Sequence, residues 1–109
     1  MAEQARGQAA RQGRLGVKRK HIERTREFER DLDAIEAYVA QENPRAALDL
    51  WLLIDSQAEK LADPNFPRRR GKIAGTKELV AHENYVVILK EDEDTVTLLN
   101  VVHARRRWP

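Results

Sequence analysis

Two basic clusters hold the residue types here that can do chemistry on an anion. The first is Arg68, Arg69, Arg70 and Lys72, with Lys77 just beyond; the second lies in "VVHARRRWP", where His103 is followed by Arg105, Arg106, Arg107 and Trp108. A guanidinium is a planar fork of donors that matches phosphate, and several together make an electrostatic footprint for nucleic acid. Trp108 and Tyr85 have rings that can stack on a base or lie against an arginine. Both clusters fall at the ends of expected sheet segments, so a compact fold can bring them close together. The alternative reading is a solvated basic edge that discourages sheet-to-sheet aggregation.

His103 stands at a strand end beside arginines. An imidazole can act as a general base or acid near neutral pH, so a histidine here suits phosphodiester cleavage, with an arginine neutralising the phosphorane. The competing and preferred role is a histidine hydrogen-bonded under the sheet edge that orients the loop after it. His21 and His82 read as surface residues. Three scattered histidines without metal-ligand spacing, and no cysteine, give no zinc site. Glu78 in "TKELV" has no second acid at any clear spacing, so an ion pair with a neighbouring arginine is expected. There is no Gly-rich phosphate loop and no nucleophile motif, and no cofactor is expected.

The elements that must position these residues follow from periodicity. In "EFERDLDAIEAYVAQEN", Phe28, Leu32, Ile35 and Val39 lie on one helical stripe with Tyr38 beside it. Thr25 is the expected N-cap, and acids crowd the early turns where the helix dipole favours them. Asn43-Pro44 pairs an N-cap residue with a first-turn proline, so a second helix starts at once. Along it, Ala47, Trp51, Ile54, Ala58 and Leu61 share a face that Leu50 and Leu53 widen. "DPNFPRRRGKIAG" reads as a loop or irregular strand. "KELVA", "YVVILK" and "TVTLLNVVH" read as strands, the last two flanking the acidic turn "EDED". In the last strand Val96, Leu98, Asn100 and Val102 are expected on one side, and Leu99, Val101 and His103 on the other. A further strand is expected in "VKRKHIER". The expected fold is α+β: an N-terminal strand, then a two-helix hairpin packed on a small twisted antiparallel sheet.

Bulk properties bound the rest. A chain of 109 residues with 41% apolar and 35% charged residues makes one domain with a thin core. Residues 1–16, rich in Ala, Gln, Gly and Arg, read as a disordered basic arm, native or not; residues 17–109 form the domain. No apolar run reaches the roughly 20 residues of a membrane span, and no signal-peptide stretch is present. The expected location is cytoplasmic, which the lack of cysteine also fits. The net charge of +2 conceals an asymmetry. Residues 1–26 carry eight basic and two acidic side chains, residues 27–63 three and ten, and residues 64–109 nine and six. Positive ends around an acidic middle suit a face that meets nucleic acid or an acidic partner.

Four pieces in order, "DLDAIEAYVAQENPRAA", "GTKELV", "NYVV" and "VVHARRRWP", resemble the RelE/ParE superfamily of toxins from bacterial type II toxin–antitoxin modules. The resemblance spans about Val17 to Pro109. It implies two helices against a twisted antiparallel sheet, and a role in growth arrest or plasmid stabilisation. The Asn-Pro hairpin and the "HARRRWP" segment look more like the ParE branch, which is associated with inhibition of DNA gyrase by binding, without chemistry. The RelE branch cuts mRNA on the ribosome, often with a late tyrosine, and no tyrosine follows Tyr85 here. Lys77 stands where an arginine is common, and Leu89 where a second tyrosine is common. Carried over position by position, the site residues are Lys77, Glu78, Tyr85, His103 and Arg106, with Arg105 and Arg107 secondary. Arg70, Lys72 and Trp108 join them as target-binding candidates from the basic clusters. A nuclease would use His103, Arg106 and Lys77. The resemblance also implies a cognate antitoxin, whose C-terminal segment wraps the toxin, and a higher-order complex with it. A non-toxic nucleic-acid or protein-binding module is the remaining alternative.

Overall fold

The computed structural model describes residues 18–105. The expected arm at 1–16 lies outside them, as do Arg106, Arg107 and Trp108. The element order is β1 (His21–Arg24), α1 (Arg26–Ala40), α2 (Pro44–Glu59), a 3₁₀ turn (Lys60–Ala62), β2 (Arg69–Arg70), β3 (Lys77–His82), β4 (Tyr85–Glu91) and β5 (Thr95–His103). The five strands form one sheet in the order β1-β5-β4-β3-β2.

Both helices begin where side-chain chemistry dictates. Thr25 Oγ1 accepts from the Phe28 amide at 3.1 Å, and Asn43 Oδ1 accepts from the Ala46 amide at 3.1 Å, with Pro44 in the first turn of α2. Each cap satisfies an amide that has no partner inside the helix. α1 packs over β5 and α2 over β3, so the helical pair covers one face of the sheet. Phe28, Leu32, Ile54, Ala58 and Leu61 meet Leu79, Val87, Leu89, Val96, Leu98 and Val101 there, all buried. Ile35 and Trp51 pack against this cluster, whereas Tyr38 is 69% and Leu53 38% exposed. The apolar stripe of α2 is therefore narrower than its sequence implies.

Two features depart from a plain antiparallel meander. β1 pairs with β5 in parallel, His21 opposite Thr95 through Arg24 opposite Leu98, so the sheet is mixed. An amide of His21 donates to Asp94 O at 2.9 Å to start that pairing. In β5 the register shifts: Ile88 faces Asn100 but Leu89 faces Leu98, leaving Leu99 as an extra, bulged residue. The bulge resets the alternation, so Val101 joins Val96 and Leu98 in the core, not Leu99 on the opposite side. Asp31 on α1 secures the bulge by accepting from the Val101 amide and from Asn100 Nδ2, each at 3.0 Å. Where β1 stops, a helix side chain thus takes over the hydrogen bonding of the β5 edge.

Candidate functional site

Of the second basic cluster, the described residues His103 and Arg105 sit at the opposite end of the sheet from the first cluster. β3 carries Lys77 at one end and His82 at the other. Five residues of strand separate them by about 16 Å at ~3.3 Å per residue. Tyr85 pairs with both His82 and His103, which places Tyr85, His103 and Arg105 at the far end from Arg70, Lys72, Lys77 and Glu78. His103 and Arg105, the described part of the second cluster, stand away from the first because β3, β4 and β5 run between the two ends; Arg106, Arg107 and Trp108 lie outside the described residues.

At the first end, β2 pairs with β3, Arg69 opposite Glu78 and Arg70 opposite Lys77. The connecting loop closes on itself: the Gly71 amide donates to Thr76 O at 2.9 Å, and Thr76 donates to Ile73 O from its amide at 3.1 Å and its hydroxyl at 2.7 Å. Gly75 has a φ of 83°, a region that favours glycine. Gly71 is needed for space, since a Cβ there would stand 2.2 Å from Thr76 Oγ1.

Two buried carboxylates organise the cations of this hairpin. Glu78, 2% exposed, accepts from Arg69 Nε at 3.1 Å and Nη2 at 3.0 Å and from the Lys72 amide at 3.1 Å. Glu91 accepts from Lys20 and Arg68 at 2.8 Å and from Lys77 at 3.0 Å. Burial pushes the Glu91 carboxyl up, but hydrogen bonds from Lys20 and Lys77 and the Arg68 charge outweigh it and hold the group below the usual carboxylate range. Arg68 also donates to the carbonyls of Phe66, Leu61 and Asp63, so it staples the 3₁₀ turn to β4 and does not face solvent. Arg70 is exposed and has no ion-pair partner among the described residues. The segment 68–77 together with Glu91 surrounds a cleft of about 640 Å³.

At the other end, the Tyr85 ring meets His103 edge-on, centroids 5.3 Å apart, and His82 at 5.9 Å. His103 Nδ1 accepts from the Arg105 amide at 3.1 Å, and His82 Nδ1 accepts from the Asn84 amide at 3.0 Å. Each ring is thereby oriented by a turn amide, and its Nε2 is the nitrogen left to meet a ligand. The sequence reading missed His82; its place three residues before Tyr85, across a tight turn, was the available signal. It also missed Lys20 and Glu91, which the acidic turn "EDED" concealed.

Among the described residues, no three acidic or histidine side chains group to hold a metal ion. No described helix is long and apolar enough to cross a membrane. The two ends together offer a preset cationic hairpin and an aromatic–imidazole cluster: surfaces for recognition of anions and rings.

Comparison with known proteins agrees with this fold. A curated relative, "Putative toxin Y4kP" of Sinorhizobium fredii, is 35% identical over 94 residues, covering 85% of this chain and 97% of its own. A solved structure, described as the chromosomal ParDE TA system from P. aeruginosa, superposes with a TM-score of 0.69 at 21% identity, over 79% of this chain and 97% of that one. Residues 22–108 match the family described as the ParE toxin of the type II toxin-antitoxin system, parDE. The chain belongs to the ParE toxin family of type II toxin–antitoxin systems.

Proposed function

We propose that this ParE-family toxin arrests growth by binding DNA gyrase, without bond-breaking chemistry of its own, and that a cognate antitoxin holds it silent. The separation of the two ends of the sheet carries this reading. Cleaving RNA through a ribose 2′-hydroxyl needs a base, a phosphate clamp and a leaving-group acid around one phosphodiester. Among the described candidates, Lys77 is tied to Glu91 at one end while His103 and Tyr85 stand at the other. Such an arrangement supports binding over an extended surface better than concerted proton transfer at one point. Arg105 extends the His103 end of that surface.

The antitoxin reading rests on family membership and on the helical hairpin. Leu48 and Leu52, 47% and 50% exposed, lie one turn apart on α2, and Tyr38 on α1 is also exposed. An amphipathic segment covers residues spaced in this way.

Induced expression of the chain, with Arg106→Ala alongside, tests the proposal. Growth arrest with a DNA damage response and intact mRNA, relieved in the variant, is the expected result. Arrest with cleaved mRNA would favour a nuclease, and no arrest from soluble protein a non-toxic binding module.

A further inference from the structure

We infer that the β2–β3 hairpin is a binding surface in its own right, and that it takes the phosphodiester backbone of nucleic acid. The inference does not depend on gyrase being the target; it concerns direct contact between this chain and a polynucleotide. Arg70 and Lys72 are exposed on one side of the cleft, and Lys77, half exposed, stands on the strand opposite Arg70. Among the described residues, no acid forms an ion pair with Arg70. Glu78 is buried against Arg69, and Glu91 is shared by three cations, so five basic residues of 68–77 and Lys20 outnumber the two carboxylates six to two.

The loop is also preorganised. Gly71 admits the close approach to Thr76, and three hydrogen bonds within 71–76 fix the turn. A cationic surface that is already rigid loses little conformational entropy when an anion arrives. A cleft of about 640 Å³ falls within the size range of ligand sites and accommodates a stretch of backbone.

The lining favours nucleic acid over a peptide held by apolar contacts or strand pairing, and comparison with poly-L-glutamate separates it from an acidic one. Peptide segments are held by apolar pockets, by strand addition along a sheet edge or, where acidic, by Arg clusters. Among the described residues, the only apolar side chains around the cleft are those of Ile73 and Ala74, and the edge strand β2 has two residues. What the cleft offers is cations, including the guanidinium fork of Arg70, which matches a phosphate.

The test is fluorescence anisotropy of a short labelled DNA duplex of mixed sequence, titrated with the full chain at several salt concentrations. Each phosphate contact contributes close to one unit to the slope of log K against log salt. Arg70→Gln/Lys72→Gln is expected to lower that slope by about two units and to weaken binding at low salt at least about tenfold. Cations elsewhere in the chain set the slope that remains. Both side chains are exposed, so the variant is expected to unfold at the parent's temperature, which circular dichroism checks. Arg30→Gln/Arg45→Gln, which removes two exposed cations from the helices, is expected to keep the parent's slope. An unchanged slope and affinity in the hairpin variant would overturn the inference. So would poly-L-glutamate binding as tightly as the duplex with the same loss in the variant, which would assign the cleft to an acidic protein partner.

Discussion

Replacing Glu91 with glutamine removes one negative charge from the middle of three cations. The side chains of Glu91 and Arg68 are 5% and 6% exposed, and that of Lys20 is 15% exposed. Glutamine keeps the volume, so no cavity forms, and the loss is electrostatic. It also presents an NH₂ group where Glu91 has only acceptors, and at least one cation then faces a donor. Removing one partner of a buried ion pair costs about 3–5 kcal/mol. Lys77, at 49% exposure, can turn to solvent, which places the cost near the lower figure. A loss of about 3 kcal/mol lowers the melting temperature of a domain this size by roughly 12–24 °C. Thermal and urea unfolding followed by circular dichroism measure it. Lys77→Gln serves as the comparison, expected to cost less than about 1 kcal/mol because that amine is already hydrated. If Glu91→Gln costs no more than Lys77→Gln, the three cations do not depend on Glu91, and the reasoning fails.

Further outcomes follow from the same geometry. The lowered carboxyl of Glu91 contributes stability that is complete above the unfolded carboxylate value of about 4.3 and is lost as pH falls through the lower folded value. The stability gap between parent and Glu91→Gln is therefore expected to narrow in denaturant melts below about pH 4. Thr25→Ala removes both the cap of α1 and the hydroxyl bond to Leu98 O at 2.8 Å, for a combined cost of about 2 kcal/mol measured by urea unfolding. Gly71→Ala forces a Cβ against Thr76 and is expected to cost about 1–3 kcal/mol by the same measurement. Leu52→Glu, at a half-exposed position, is expected to leave the melting temperature within a few degrees while weakening capture by the co-expressed antitoxin in a pull-down.

Local chemistry in this sequence was legible because its signals are short-range. Thr25 and Asn43-Pro44 announce helix starts, and the spacing of Phe28 and Leu32 marks a buried stripe, since caps and periodicity act within one or two turns. The parallel pairing of β1 with β5 was not legible, because it joins His21 to Thr95 across nearly the whole domain. The bulge at Leu99 was equally hidden: alternation alone places Val101 on the wrong side, and only the anchoring by Asp31 accounts for the reset. For the site, residue types were legible and their grouping was not. Arg68 and Arg70 look alike in "PRRRG", yet one is a buried staple to Glu91 and the other faces solvent. Tyr85 and His103 were both named from the sequence, but their ring contact and the addition of His82 come from strand register.

Supercoiling of relaxed plasmid DNA by purified gyrase, with the purified chain added at increasing concentration, tests the gyrase reading most directly. The expected result is loss of supercoiling that the cognate antitoxin restores. Full supercoiling at every concentration, from folded chain that still arrests growth when expressed, would contradict it.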